Sequence, residues 1–256
     1  MTFADAKQRF SSRVADYVRY RPGYPSELLN LLRSECGLRS GHVIADVGSG
    51  TGFLSEVFLK NGNRLYGVEP NKEMREAGEE YLASFDGFSS IEGSAEATTL
   101  GDSSINFLTA GQSFHWFEPD AARREFVRIL KPNGWMVIAW NDRRMDEAPF
   151  TNAYELILER FGIDYKRVKD SYPEAERIRG FLPAFSQRDL PNDQTLDWPS
   201  LCGRLRSSSF TPPEGHPSYA PMIEELHKVF DAYQQNGQVR MDYFTRVYYG
   251  QMKAGA

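Results

Sequence analysis

Hydrophobic and polar positions follow two regimes along the chain. Between residues 43 and 140, short apolar runs alternate with longer segments whose apolar residues fall three and four apart. The runs read as strands buried on both faces and the segments as amphipathic helices. Val43-Ile44-Ala45-Asp46-Val47, which ends in glycines, predicts the first strand. Residues 65–69, 88–92, 104–110 and 135–140 predict four more, the 88–92 run being the weakest. Residues 53–60 fit a helix stopped by Asn61-Gly62-Asn63. Residues 71–77 open another with Asn71 as cap, and 121–130 a third, ended by Lys131-Pro132-Asn133-Gly134. Strands alternating with helices imply an α/β fold, with a mostly parallel sheet covered on both faces.

Outside this stretch the alternation stops. Arg21-Pro22-Gly23-Tyr24-Pro25 is a rigid turn, and the residues after Pro25 start a helix that Gly37 or Gly41 would end. Residues 141–185 are charged, aromatic and helical in pattern, notably over 153–161 and 174–181. A strand is expected over 186–196, helices over 198–206 and 222–233, and a strand over 239–249, which is rich in Tyr, Phe and Val. One domain over 1–256 is expected, with a core of about 41–140 plus 186–256. A cap would come from 1–40 and about 141–185.

Composition narrows the partners. The chain is 41% hydrophobic and 13% aromatic, enough to bury a core, and its net charge of −5 argues against a phosphate-backbone partner. Cys36 and Cys202 stand far apart in no metal-binding array, so neither a metal nor a disulfide is expected. The first residues lack the basic-then-apolar order of a secretory signal, and no apolar run approaches the roughly 20 residues of a membrane span. The expected location is cytoplasmic.

The chemistry starts at the first strand. A glycine-rich turn between strand and helix permits positive φ and close backbone approach to a ligand. Here the glycines are Gly48, Gly50 and Gly52, but Phe53 stands where a dinucleotide fingerprint needs Gly or Ala, and no Gly-Lys-Ser/Thr follows. Asp46 would repel a pyrophosphate and suits a ligand with an ammonium and a sulfonium. This favours S-adenosylmethionine over NAD or ATP, although the glycine pattern alone also fits a turn that binds nothing. Glu69 ends the second strand 23 residues after Asp46, where a carboxylate can accept from both ribose hydroxyls.

The succession Asp46-Val47-Gly48-Ser49-Gly50-Thr51-Gly52, Gly67-Val68-Glu69-Pro70-Asn71, Gly93-Ser94-Ala95-Glu96, Ala110-Gly111-Gln112-Ser113-Phe114-His115-Trp116-Phe117 and Leu130-Lys131-Pro132-Asn133-Gly134 resembles the class I S-adenosylmethionine-dependent methyltransferases. Within them it is most similar to the bacterial small-molecule group related to trans-aconitate methyltransferase. Tyr20-Arg21-Pro22-Gly23-Tyr24-Pro25 and Gly203-Arg204-Leu205-Arg206-Ser207-Ser208-Ser209 also look typical of that group, so the resemblance covers most of the chain. It implies a seven-stranded, mostly parallel Rossmann-like sheet with a helical cap and an antiparallel last strand around 239–249. It further implies that Ser94, Ala95 and Glu96 edge the adenine and that the carbonyls of Ala110 and Gly111 face the cofactor's amino group. Tyr17, Tyr20 and Arg21 would close over the cofactor. Ser49, Pro70, Asn71, Gln112 and His115 would complete the set.

Methyl transfer from a sulfonium is an in-line displacement that asks mainly for alignment and desolvation. A base is needed only if the nucleophile carries a proton. His115, just after the fourth strand, is the candidate catalytic residue, and Trp116 a pocket wall. Asn141, Arg143 and Arg204 are candidates to hold a small carboxylic acid. The expected function is methylation of a small molecule at a carboxylate or hydroxyl oxygen, with no nucleic acid and no membrane as partner. An RNA methyltransferase is the alternative, but Gly111-Gln112-Ser113-Phe114 replaces the Asn/Asp-Pro-Pro-aromatic segment of base amine methylation. A nicotinamide oxidoreductase is disfavoured by Phe53.

Overall fold

The computed structural model describes residues 14–169 and 175–252. Its elements run α1 (Val14–Tyr20), α2 (Glu27–Cys36), β1 (Val43–Val47), α3 (Phe53–Lys60), β2 (Arg64–Val68), α4 (Lys72–Tyr81), β3 (Phe88–Ile91), β4 (Ile105–Gly111), α5 (Pro119–Ile129) and β5 (Leu130–Arg143). They continue α6 (Pro149–Phe161), α7 (Tyr165–Lys169), α8 (Ala175–Phe181), β6 (Ser186–Asp197), α9 (Trp198–Arg206), α10 (Tyr219–Tyr233) and β7 (Gln238–Gln251). The described residues fall into two compact units. One takes its residues from Met1–Pro22, Asp142–Tyr172 and Pro191–Phe244, the other from Gly23–Asn141, Pro173–Leu190 and Thr245–Ala256. In sequence, β5, β6 and β7 each straddle a boundary.

The seven strands form one mixed, mostly parallel sheet in the order β3-β2-β1-β4-β5-β7-β6. The pairs β1–β2, β2–β3, β1–β4 and β4–β5 are parallel, with Asp46 opposite both Gly67 and Thr109. Alternate residues of the central strands serve two cores, as the period of two requires. Ala45, Val47, Leu108, Ala110, Met136 and Ile138 pack with Phe126 of α5 and Phe181 of α8. Ile44, Phe107, Val137 and Ala139 pack with Leu28 and Leu32 of α2 and Leu54 and Phe58 of α3. Helices therefore cover both faces, as the alternation predicts. Gly37, in the left-handed region at φ 67, ends α2.

Two boundaries differ from those read in the sequence. Residues 23–40 and 175–185, expected in a cap, join the sheet unit, because Leu28, Leu32, Cys36, Ile178 and Phe181 are core residues there. Lys131-Pro132-Asn133-Gly134, expected as the turn before β5, lies inside it. Ile105 pairs with Leu130 and Phe107 with Trp135, so the ladder absorbs the extra residues as an irregularity, with Asn133 at φ 62.

The other unit has its own core. Phe150, Tyr154, Ile157 and Leu158 of α6 meet Leu201 and Leu205 of α9, Met222, Leu226 and Phe230 of α10, and Val239, Met241 and Tyr243 of β7. α1 packs on α9 because Gly203 has no side chain, and a methyl there would run into the Tyr20 ring.

Candidate functional site

In the sheet unit the chain winds outward from β1 through β2 to β3, then returns to β4 on the other side of β1. Loops leaving the carboxyl ends of β1 and β4 therefore diverge, and such a switch point is where open α/β sheets bind ligands. The loop after β1 holds Gly48, Gly50 and Gly52 at φ 67, 55 and 90. Their amides turn inward. Gly48 and Ser49 donate to Val68 O at 2.8 and 3.2 Å, Gly50 to Glu69 Oε2 at 2.9 Å, and Gly52 to Ser49 O at 2.9 Å. A phosphate loop instead aims such amides at its anion. This loop suits a donor that is cationic where phosphate-binding loops expect negative charge.

Glu69, buried at the end of β2, is the hub. Its Oε2 accepts from Gly50 N and its Oε1 from Asn71 N at 2.8 Å, while Asn71 Oδ1 caps α4 by accepting from Met74 N at 2.9 Å. A carboxylate has about four lone-pair sites, so two are left to accept from a ligand. Burial raises the Glu69 pKa despite these amides. Asp46 takes a different part from the one its sequence position suggests. It is 1% exposed, and its two oxygens accept from Ser55 Oγ at 2.6 Å and Thr109 Oγ1 at 2.9 Å. It braces β1, α3 and β4 beneath the loop rather than lining it. Burial pushes its pKa up to about 6.

The turn after β4 supplies the opposite wall. Ser113 Oγ donates to Val47 O at 2.8 Å, and Gln112, at φ 56, donates from Nε2 to Asn141 O at 3.1 Å. The buried Gln112 Oε1 and Thr51 Oγ1 have no hydrogen-bond partner among the described residues. An acceptor left so is one that an ammonium or hydroxyl of a ligand can complete. The Tyr24 hydroxyl occupies the space a side chain at Gly111 would need.

His115 sits in a short 3-10 turn (Phe114–Trp116), its ring 4.3 Å from Trp116 and 5.2 Å from Trp140, centroid to centroid. Its Nδ1 is buried and has no hydrogen-bond partner among the described residues. Burial, then the Arg177 cation, pushes its pKa down to about 3. Arg177 also donates to Phe117 O at 2.8 Å, fixing the turn.

The remaining predicted residues are placed as follows. Ser94 and Ala97 form an isolated bridge, Ala95 is core, and Glu96 Oε1 accepts from Glu118 N at 2.9 Å at the start of α5. Pro70 lies between Glu69 and Asn71. Asn141, proposed for substrate, is instead a buried brace. Its Nδ2 donates to Gly23 O at 3.0 Å and its Oδ1 accepts from Thr245 Oγ1 at 2.5 Å. Arg143 is likewise spoken for, bound to Glu155 at 2.7 Å and to the Tyr165 hydroxyl at 2.6 Å, so it is not a free clamp. In that same unit Tyr17 lies under the Arg21 guanidinium at 4.9 Å, Tyr20 O accepts from Gln194 Nε2 at 3.1 Å, and Arg204 is buried. Ser55, Thr109 and Ser113 escaped the sequence reading because one hydroxyl among many carries no local signal. The N-terminal third of a helix following the glycine loop was the only available hint for Ser55.

Residues 45–138 match the model of a methyltransferase domain. The chain is 28% identical over 244 residues to a methyltransferase-like protein of Schizosaccharomyces pombe, with 93% of each chain covered. It is 32% identical over 139 residues to a methyltransferase of Mycobacterium bovis, where the match spans about half, 54%, of each chain. Among solved structures, a protein described as a type II methyltransferase from Anaeromyxobacter dehalogenans superposes with a TM-score of 0.66 at 20% identity, covering 91% of this chain and 98% of that one. A phosphoethanolamine N-methyltransferase of Haemonchus contortus, solved with S-adenosylhomocysteine, gives 0.57 at 13% identity, covering 99% and 59%. The inward-turned glycine loop, the Glu69 hub and these likenesses agree: residues 45–138 match a methyltransferase domain, and the chain is similar over most of its length to a methyltransferase-like protein and shares the fold of S-adenosylmethionine-dependent methyltransferases.

Proposed function

We propose that this enzyme methylates a small molecule at oxygen, a carboxylate or a hydroxyl. The observation that carries the reading is the state of His115. With a pKa near 3 it is neutral across the physiological range and a weak base, whereas an efficient general base titrates near the working pH. Asp46 is closed off by two hydroxyls and Glu69 is engaged by two amides. A carboxylate acceptor is already ionised and needs no base, so of the two oxygens it fits better.

Bound S-adenosylmethionine supplies an electrophilic methyl whose sulfur leaves as a neutral thioether. The protein contributes position and dryness. Glu69 and the amides it holds would fix the ribose end. Gln112 Oε1 and Thr51 Oγ1 offer acceptors near the loop. The Trp116 and Trp140 rings stand against His115, and water kept from such an aromatic wall would strengthen the attraction between an anionic oxygen and a cationic donor. The acidic net charge disfavours RNA. The test is transfer of labelled methyl to a panel of carboxylic acids, phenols and RNA. An ester product that mild alkali cleaves is expected, and labelling of RNA alone would sink the reading.

A further inference from the structure

His115 and Arg177 meet within the sheet unit, on the short turn after β4. Arg177 lies on α8 one helical turn before Phe181, so the two side chains share a face. Phe114 touches both, its ring 4.9 Å from the Phe181 ring and 5.7 Å from the Arg177 guanidinium. Phe114 and Phe181 are buried in the core, which fixes α8 against the turn. From that anchored place Arg177 Nη2 donates to Phe117 O at 2.8 Å and to His115 O at 3.3 Å. One guanidinium nitrogen thus holds two carbonyls of the turn that carries His115.

Two polar atoms of this pair are left over. His115 Nδ1 and Arg177 Nε are buried, and neither has a hydrogen-bond partner among the described residues. A neutral imidazole carries its proton on one nitrogen and a lone pair on the other, whereas the guanidinium Nε is always a donor. A proton on Nδ1 would add a second buried donor without an acceptor, beside a cation. A lone pair there makes the buried edge of the ring complementary to the arginine. Buried donors almost always find acceptors, and the surroundings of one ring nitrogen decide the tautomer. The proton therefore belongs on Nε2. Burial first, and then the Arg177 charge, keep the ring neutral by pushing its pKa down to about 3.

We propose that Arg177 is a positioning residue, which holds His115 as the Nε2–H tautomer so that the ring serves the methyl acceptor as a hydrogen-bond donor. The tautomer rests on the turn and α8 alone; the donor role rests on the small-molecule reading given above. A neutral imidazole N–H can orient an oxygen through one lone pair and leave another to attack the methyl group.

The experiment uses the full-length protein labelled with 15N-histidine, and long-range 1H–15N NMR at neutral pH. His115→Gln identifies the His115 signals among those of the four histidines. Wild-type His115 should show Nδ1 unprotonated and Nε2 protonated, and a protonated Nδ1 overturns the proposal whether or not any Arg177 variant folds. Arg177→Gln should mix the two tautomers and raise the His115 pKa. Arg177→Lys, which restores the cation, should recover most of both effects. Wild-type tautomer and pKa in a folded Arg177→Gln overturn the positioning role. In the labelled-methyl assay, with whichever carboxylic acid or phenol the wild type labels best, His115→Ala should lose tenfold or more in kcat. His115→Gln, whose amide can still donate, should lose only severalfold, and equal losses in the two overturn the donor role. The expected NMR results together with labelling of RNA alone would leave Arg177 and the tautomer standing and refute the small-molecule reading.

Discussion

Gly48 and Gly50 both hold positive φ, yet a methyl at each meets a different obstacle. At Gly48 it would lie 2.5 Å from Ser113 Cβ, while at Gly50 it would meet only the flexible Met74 Cε at 3.2 Å. Gly50→Ala should therefore cost about 1–2 kcal/mol, the left-handed penalty alone. Gly48→Ala should cost more and should also weaken S-adenosylmethionine binding, because it displaces the turn after β4; urea denaturation and calorimetry would show the ranking. His115 offers a second prediction. Its folded pKa, about 3, lies below the ordinary value of about 6.5. The fold thus favours the neutral ring, a contribution present above pH 6.5 and lost as pH falls toward 3. Between pH 7 and 5 the wild type should lose up to about 2 kcal/mol on this account, and His115→Gln should not. Parallel pH-stability curves for the two proteins would refute the assignment.

At the scale of elements, Asp46 joins β1 to α3 through Ser55 and to β4 through Thr109. Its pKa is raised from 3.8 to about 6 by burial, so its charge opposes folding at neutral pH. The stabilising protonated state is fully present below pH 3.8 and is lost as pH rises through 6. Asp46→Asn, whose amide can still meet two hydroxyls, should match or exceed wild-type Tm at pH 8 and lose that advantage at pH 4. A Tm lower at pH 8 than at pH 4, relative to wild type, would show that the charge itself holds the three elements. The element boundaries were legible where local chemistry is strong. α3 coincides with residues 53–60, and Asn71 caps α4 as its position predicts. The start of β5 was not legible, because pairing of Leu130 with Ile105 is a long-range event that a Lys-Pro-Asn-Gly turn signal conceals.

At the scale of the whole molecule, donor binding is linked to stability. S-adenosylmethionine or S-adenosylhomocysteine at a hundredfold excess over its Kd should stabilise the protein by about 2.7 kcal/mol, and NAD should give no shift. A saturable NAD effect without one from S-adenosylmethionine would contradict the donor assignment, since Phe53 and the inward-turned amides both argue against a pyrophosphate. No helix among the described residues is long and apolar enough to cross a membrane.

The glycine spacing, Glu69 at the end of the second strand and the strand–helix alternation are local in the chain, so the sequence by itself determined the fold class and the methyl donor. Which polar groups are free was decided only by tertiary structure. Arg143 and Arg204 look alike in the sequence, but Glu155 on α6 neutralises the first, and among the described residues the second meets hydroxyls, of Tyr243 and Ser208, with no acid paired to it. Asn141 and Asp46 look exposed to a ligand as residues at strand ends, but distant hydroxyls and a carbonyl occupy them. A hydrogen bond or an ion pair between residues far apart in sequence leaves no periodicity to read, and it is those bonds that separate a brace from a binding group.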